Sequence, residues 1–138
     1  MPASATRPER WVAFGSLATL ALALALAVAL AGGQAQAGET AVQRCGWFEN
    51  PTPANAWLTD RDGEWIIGVQ GGHQADGDWP EFARFRWVRS NGSYGYGCAC
   101  MKVLADAATG QVSRIVSSRS RPLGICRNDR ALKEPKPG

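Results

Sequence analysis

Tyr94-Gly95-Tyr96-Gly97-Cys98-Ala99-Cys100-Met101-Lys102-Val103-Leu104 is the stretch on which the fold turns. Read as a β-strand, it sends successive side chains to opposite faces. Tyr94, Tyr96, Cys98 and Cys100 then share one face, while Gly95, Gly97 and Ala99 leave the other flat enough for a ring or another backbone. Asn91-Gly92, just before it, reads as a type I′ turn, whose central residues need positive φ. Upstream, Phe82 to Ser90 reads as an amphipathic strand, with Phe85, Trp87 and Arg89 alternating against Arg84, Arg86 and Val88.

Downstream, Ala107 to Gly110 turns the chain into a strand over Gln111 to Ser118, with Val112 and Val116 on one face and Ile115 on the other. Toward the N-terminus, Ala56 to Thr59 and Glu64 to Gln70 flank Asp60-Arg61-Asp62-Gly63 and read as a hairpin. Trp65, Ile67 and Val69 share a face of its second strand. Cys45 to Asn55 holds two prolines and the pair Trp47-Phe48, and reads as an irregular lead-in that packs by its rings. Gly71 to Pro80 reads as a polar loop carrying His73, the only histidine. About five short strands separated by turns predict a mainly β fold: a small antiparallel sheet, a sandwich or a partly open barrel.

The first 37 residues read as a secretory signal peptide. Arg7 and Arg10 precede an uncharged Ala/Leu-rich run from Val12 to Leu30, and Ala35-Gln36-Ala37 places small residues where a signal peptidase needs them. The apolar run approaches the length of a membrane span. Its alanine content and the Ala-x-Ala site that follows favour cleavage after Ala37, leaving no membrane span and a periplasmic or secreted product. Lipidation is excluded because Arg44 precedes Cys45 where a small residue is required. The expected organisation is signal peptide 1–37, β domain 38–130 and a flexible tail 131–138.

Cys45, Cys98, Cys100 and Cys126 all fall in the exported part. An even count in a short exported chain predicts two disulfides. The lone Cys-x-Cys lacks the paired spacing of a structural zinc site. Cys98 and Cys100 share a face of one strand, so each reaches a distant partner and two pairings survive. The hairpin that returns the chain after Ser117 beside Cys98 favours Cys98–Cys126 with Cys45–Cys100.

Removing Arg7, Arg10 and Glu9 from the 15 basic and 12 acidic residues leaves a net charge of +2. Glu39 to Glu81 carries eight acids against Arg44 and Arg61, and Arg84 to Lys136 eleven bases against Asp106, Asp129 and Glu134. The halves are thus −6 and +8. Such an asymmetry marks either a surface for an anionic partner or two halves that neutralise each other across the sheet; the second is the simpler expectation. The small net charge and the export signal argue against nucleic acid.

Arg44-Cys45-Gly46-Trp47-Phe48-Glu49-Asn50-Pro51-Thr52-Pro53 and Tyr94-Gly95-Tyr96-Gly97-Cys98-Ala99-Cys100 carry a family resemblance. With Asn55-Ala56-Trp57-Leu58, Gly71-Gly72 and Asp78-Trp79 between them, the chain from Arg44 to Leu132 resembles small exported proteobacterial proteins grouped as a domain of unknown function. The resemblance implies an envelope protein and brings no activity, ligand or catalytic residue.

Residue chemistry narrows the function classes. His73, Asp76 and Asp78 on a glycine-rich loop form a weak metal or acid–base set, against which stands the ordinary preference of turns for Asp and Gly. Asp60-x-Asp62-Gly63-Glu64 lacks the ligands and span of a calcium loop. No Gly-x-Ser-x-Gly elbow or phosphate-binding loop is present, and no cofactor is implied. Of five exported tryptophans, Trp47, Trp65 and Trp87 belong to the core by strand phase or by their place beside Cys45. Trp79, beside Pro80, is the best candidate for exposure, able with Tyr94 or Tyr96 to stack on a sugar, peptide or partner side chain, though packing of its loop against the sheet is the simpler expectation. With Arg84, Arg86 and Arg89 it defines the expected binding surface. The favoured reading is a non-enzymatic envelope module that binds a protein or cell-wall glycan, one form being an inhibitor of a wall-degrading enzyme. A small hydrolase or metal-dependent enzyme centred on His73, Asp76 and Asp78 is the alternative, and a purely structural envelope protein is the third.

Overall fold

The structure is a computed structural model that describes residues 40–137. The expected signal peptide and its cut after Ala37 lie outside the described residues. Six strands form one antiparallel sheet: β1 (Val42–Thr52), β2 (Asn55–Asp60), β3 (Gly63–Gly68), β4 (Val88–Asn91), β5 (Tyr94–Ala105) and β6 (Val112–Arg121). Their order is β3-β2-β1-β5-β4, with β6 also on β5. β4 takes the Tyr94–Tyr96 end of β5, and β6 takes Cys98–Ala105. A short helix, α1 (Leu123–Arg127), follows β6. The fold is mainly β, as the alternation predicts.

The segment expected as an irregular lead-in is instead the central strand. β1 pairs with β5 from Val42↔Val103 to Asn50↔Gly95 and with β2 from Trp47↔Thr59 to Thr52↔Asn55. Pro51 and Pro53 do not prevent this, because both lie beyond Asn50, where pairing with β5 has ended and no ladder donor is lost.

Two other departures also have local causes. Of the expected Phe82–Ser90 strand only the part from Val88 onward pairs, as β4, and Arg84–Arg86 forms a 3₁₀ turn held by Arg86 N–H to Ala83 O at 2.8 Å. That turn breaks the two-residue period, so Phe85 leaves the phase of Trp87 and stands 77% exposed. In β6 the pairs Ala105↔Val112, Leu104↔Arg114, Val103↔Ile115 and Lys102↔Ser117 leave Ser113 and Val116 as extra residues. Each such bulge shifts the following side chains to the other face. Val112 and Ile115 are therefore buried together, and Val116 is exposed, contrary to simple alternation.

Both faces of β1 and β5 are covered. On one face Phe48, Leu58, Trp65, Ile67, Met101 and Val103 anchor the main core, with Val112 and Ile115 brought in from β6. On the other, Trp47, Tyr96 and Cys98 form a second cluster capped by Cys126 of α1, Leu123 and Leu132. Trp47 and Trp65 are buried as expected, and Trp87 is half-buried against the main core. The disulfides are Cys45–Cys100 and Cys98–Cys126, the favoured pairing. Cys45 and Cys100 are directly opposed on β1 and β5, whereas Cys98–Cys126 fastens α1 to the sheet.

The C-terminal segment, expected as a loose tail, makes specific contacts. Arg127 donates to Glu134 through Nε at 3.0 Å and Nη2 at 2.8 Å, and Tyr96 Oη donates to Glu134 at 3.2 Å. These hydrogen bonds, led by that from Arg127, hold the Glu134 carboxyl below the usual carboxylate range. Burial, with the Glu134 charge beside it, pushes the Tyr96 phenol up.

Candidate functional site

The sheet leaves a recess where β1, β4 and the 79–87 connection meet. Phe48, Trp79, Phe82 and Trp87 form its walls, and Arg84 and Arg89 flank it. Its volume is about 290 Å³. β1 brings Phe48, and β5 creates the space for Phe82: a Cβ at Gly97 would lie 2.4 Å from Phe82 Cε1. The flat face of β5 thus receives a ring, as its glycines predict. Phe82 and Trp87 lie 4.8 Å apart between ring centroids, and Phe48 meets Trp79 edge to face at 5.7 Å. Trp87 Nε1 donates to Ser93 O at 3.0 Å, fixing the indole. A wall built this way is stiff and loses little entropy on binding.

The two flanking arginines differ in their attachments. Arg84 is exposed on the 3₁₀ turn and makes no side-chain hydrogen bond or ion pair among the described residues. Arg89 donates Nε to Gly92 O at 2.5 Å, which orients the guanidinium; its terminal nitrogens have no partner among the described residues. Asn50, also at the recess, spends its amide nitrogen on Thr52 O and Asn55 O. No carboxylate lines this recess.

The expected surface is therefore only partly brought together. Trp79, Arg84 and Arg89 meet at the recess. Arg86 turns to a neighbouring depression with Asp78, Glu81 and Arg119, where its Nη1 lies 3.4 Å from Ser120 O. Tyr94 is half-buried and lines neither space. Tyr96 is removed from any docking surface because it is 3% exposed, edge to face with Trp47 in the second cluster. The face it shares with Cys98 is the one α1 covers. Trp79 packs half-buried against the main core, the simpler expectation for its loop, while closing one side of the recess. Sequence reading missed Phe82 and Phe85. The flat Gly95/Gly97 face signalled a ring without naming which one, and strand alternation put Phe85 in phase with Trp87, a placement the 3₁₀ turn overrides.

The His73, Asp76 and Asp78 loop has another task. Its backbone runs between β3 and β6, with Ala75 N–H donating to Ile67 O at 2.8 Å and Ile115 N–H to Asp76 O at 2.7 Å. His73 Nε2 lies 2.6 Å from Val112 O. Among the described residues, no three His, Cys, Asp or Glu side chains converge as a metal site would require. The loop is a seam that helps bridge the two ends of an unclosed sheet. Gly77 serves that seam with φ +99°, and a Cβ there would come within 2.2 Å of Ile115 O. Gly77→Ala is expected to cost about 2 kcal/mol or more, since both backbone strain and a clash oppose it. Urea unfolding checks this: an unchanged midpoint would show that the loop is not held as a seam.

The ion pairs do not match the acids of the first half with the bases of the second. The ion pairs among the described residues are Arg44–Asp60, Arg44–Asp62, Arg61–Asp129 and Arg127–Glu134. None joins an acid of residues 39–81 to a base of residues 84–136. The halves do lie side by side, β1 against β5, but among the described residues close ion pairs between the acids of the first and the bases of the second do not form.

Fold and recess define a small antiparallel β domain, stapled by two disulfides, with an aromatic hollow between two arginines. The chain belongs to the family described as Protein of unknown function (DUF4087), which matches residues 39–133. No curated protein and no solved structure matches it. The two disulfides are compatible with an extracellular or periplasmic protein. Among the described residues, no helix is long and apolar enough to cross a membrane.

Proposed function

We propose that this protein is a non-enzymatic binding module of the bacterial envelope, exported by cleavage after Ala37, whose aromatic recess docks a protein or a cell-wall glycan. An inhibitor of a wall-degrading enzyme is one form such a module takes. The observation that carries this reading is the recess itself: fixed rings of Phe82, Trp87 and Trp79, flanked by Arg84 and Arg89. Aromatic residues and arginine are the side chains that most often dominate binding energy, and a stapled sheet presents them at low entropic cost. The enzyme reading is weakened at His73, one of whose ring nitrogens is engaged with Val112 O.

Retention on isolated envelope fractions, both wall sacculi and soluble envelope proteins, tests the proposal. Arg84→Glu with Arg89→Glu leaves the aromatic packing in place and is expected to reduce retention about tenfold, a difference of about 1.4 kcal/mol. His73→Ala is expected to retain what the wild type retains. Equal retention by wild type and the charge-reversed variant would remove the recess from the function. A loss specific to His73→Ala would move the site to the seam loop.

A further inference from the structure

Taking the recess as a docking site, we infer that its occupant is an acidic segment of another protein, which seats one large apolar side chain between Trp79, Phe82 and Trp87 and places carboxylates on Arg84 and Arg89. Four features select this chemistry. The hollow, at about 290 Å³, is at the small end for ligand pockets and suits one or two side chains. Its charged groups, Arg84 and Arg89, are donors alone, and no carboxylate lines it. A neutral sugar hydroxyl both donates and accepts, and beside the rings Asn50, its amide nitrogen held by Thr52 O and Asn55 O, offers one carbonyl acceptor against two cationic donors, so the rim is set for an anion. A carboxylate accepts only, and a guanidinium is its matched partner.

The third feature is availability. Among the described residues Arg84 has no side-chain partner, and the terminal nitrogens of Arg89 have none while Gly92 O fixes its Nε. Ordering these groups on an anion therefore breaks no existing ion pair. The fourth is Phe85, exposed between Arg84 and Arg86 on the same 3₁₀ turn. Its ring centroid lies 5.6 Å from the Arg86 guanidinium carbon, on the turn that carries Arg84, so a partner that reaches Arg84 also finds an exposed ring. An apolar anchor inside and charged pairs at the rim is the arrangement of a protein interface.

The experiment is a selection of short random peptides displayed on phage against the disulfide-bonded protein, with Arg84→Glu/Arg89→Glu as the counter-target. The expected result is enrichment of peptides that place a large apolar residue beside two or more Asp or Glu. Synthetic versions should bind the charge-reversed variant about tenfold more weakly. Salt should weaken them as well. Phe85→Ala, a change at an exposed side chain, should lower affinity without altering the fold. Enriched peptides that lack acidic residues, or that bind both proteins alike, would overturn the acidic partner. If no peptide is enriched but wall sacculi are retained through the two arginines, the partner class falls and the binding module stands. If neither is retained, both readings fall.

Discussion

Replacing Cys45 and Cys100 together by serine is expected to lower stability by about 4 kcal/mol, and replacing Cys98 and Cys126 by a similar amount. The bridges span 55 and 28 residues of sequence, and closing loops of that size removes comparable entropy from the unfolded chain. The figure is comparable with the whole net stability of many small domains, so the fully reduced protein is expected to unfold near body temperature. The two losses differ in consequence. Cys45–Cys100 links strands that already pair along most of their length. Cys98–Cys126 holds α1, and with it the cover over Trp47 and Tyr96. Thermal melts of the two double variants check this. Melting temperatures within a degree of the oxidised wild type would show that the sheet does not depend on its staples.

Asp60→Ala is expected to cost about 3 kcal/mol, the second large effect. Asp60 is 8% exposed at the end of the main core. Its Oδ1 accepts from Trp65 Nε1 at 2.9 Å, from Asp62 N–H at 2.8 Å and from Gly63 N–H at 3.1 Å; its Oδ2 accepts from Arg44 at 3.0 Å. The Arg44 guanidinium also lies 3.4 Å from the centroid of the Trp65 ring. Removing the carboxylate leaves a buried indole N–H without its acceptor, a half-buried cation with only the exposed Asp62 carboxylate, and the β2–β3 turn without its brace.

The same carboxylate sets an acid limb to stability. Burial pushes its pKa up, but the hydrogen bonds from Trp65, Arg44 and Asp62, with the Arg44 charge, outweigh burial and hold it below the usual range. An acid whose folded pKa is depressed contributes stability that is present above its unfolded pKa, about 3.9, and is lost as pH falls through the lower folded value. Wild-type stability is therefore expected to decline below about pH 4. Glu49 acts in the opposite sense, because burial raises its pKa against the hydrogen bond from Trp57, with the charge of Glu64 adding to the rise. Comparison with Asp60→Asn isolates the Asp60 share. Urea midpoints of the variant should fall less steeply than wild type from pH 5 to pH 2, and parallel curves would assign the acid limb elsewhere.

The parts of the fold visible in the sequence are those with strict local rules. Asp60-Arg61-Asp62-Gly63 fixed a hairpin, and the alternation from Tyr94 to Leu104 gave β5 and the side that Cys98 and Cys100 share. What alternation does not encode is a bulge. Ser113 and Val116 look like ordinary strand residues, and only pairing with β5 reveals them as extras. Pro51 and Pro53 misdirected the reading of β1 because the cost of a proline depends on which edge of the strand is paired. The candidate site followed the same pattern. Trp79, Arg84 and Arg89 were visible as an aromatic and two cations near one another in sequence. Tyr96 was lost because α1 and Leu132 cover its face, a contact from the far end of the chain.

The most direct measurement places a photoreactive p-benzoylphenylalanine at Phe85 or at Val42 in cells that produce the protein, and compares the adducts after illumination. Both positions are exposed, and Val42 lies at the opposite end of β1 from Phe48, roughly 20 Å along the strand. A discrete protein adduct from position 85, absent from position 42 and lost with Arg84→Glu/Arg89→Glu, is the expected result. Adducts from position 42 alone, or from neither position, would contradict docking of a protein at the aromatic recess.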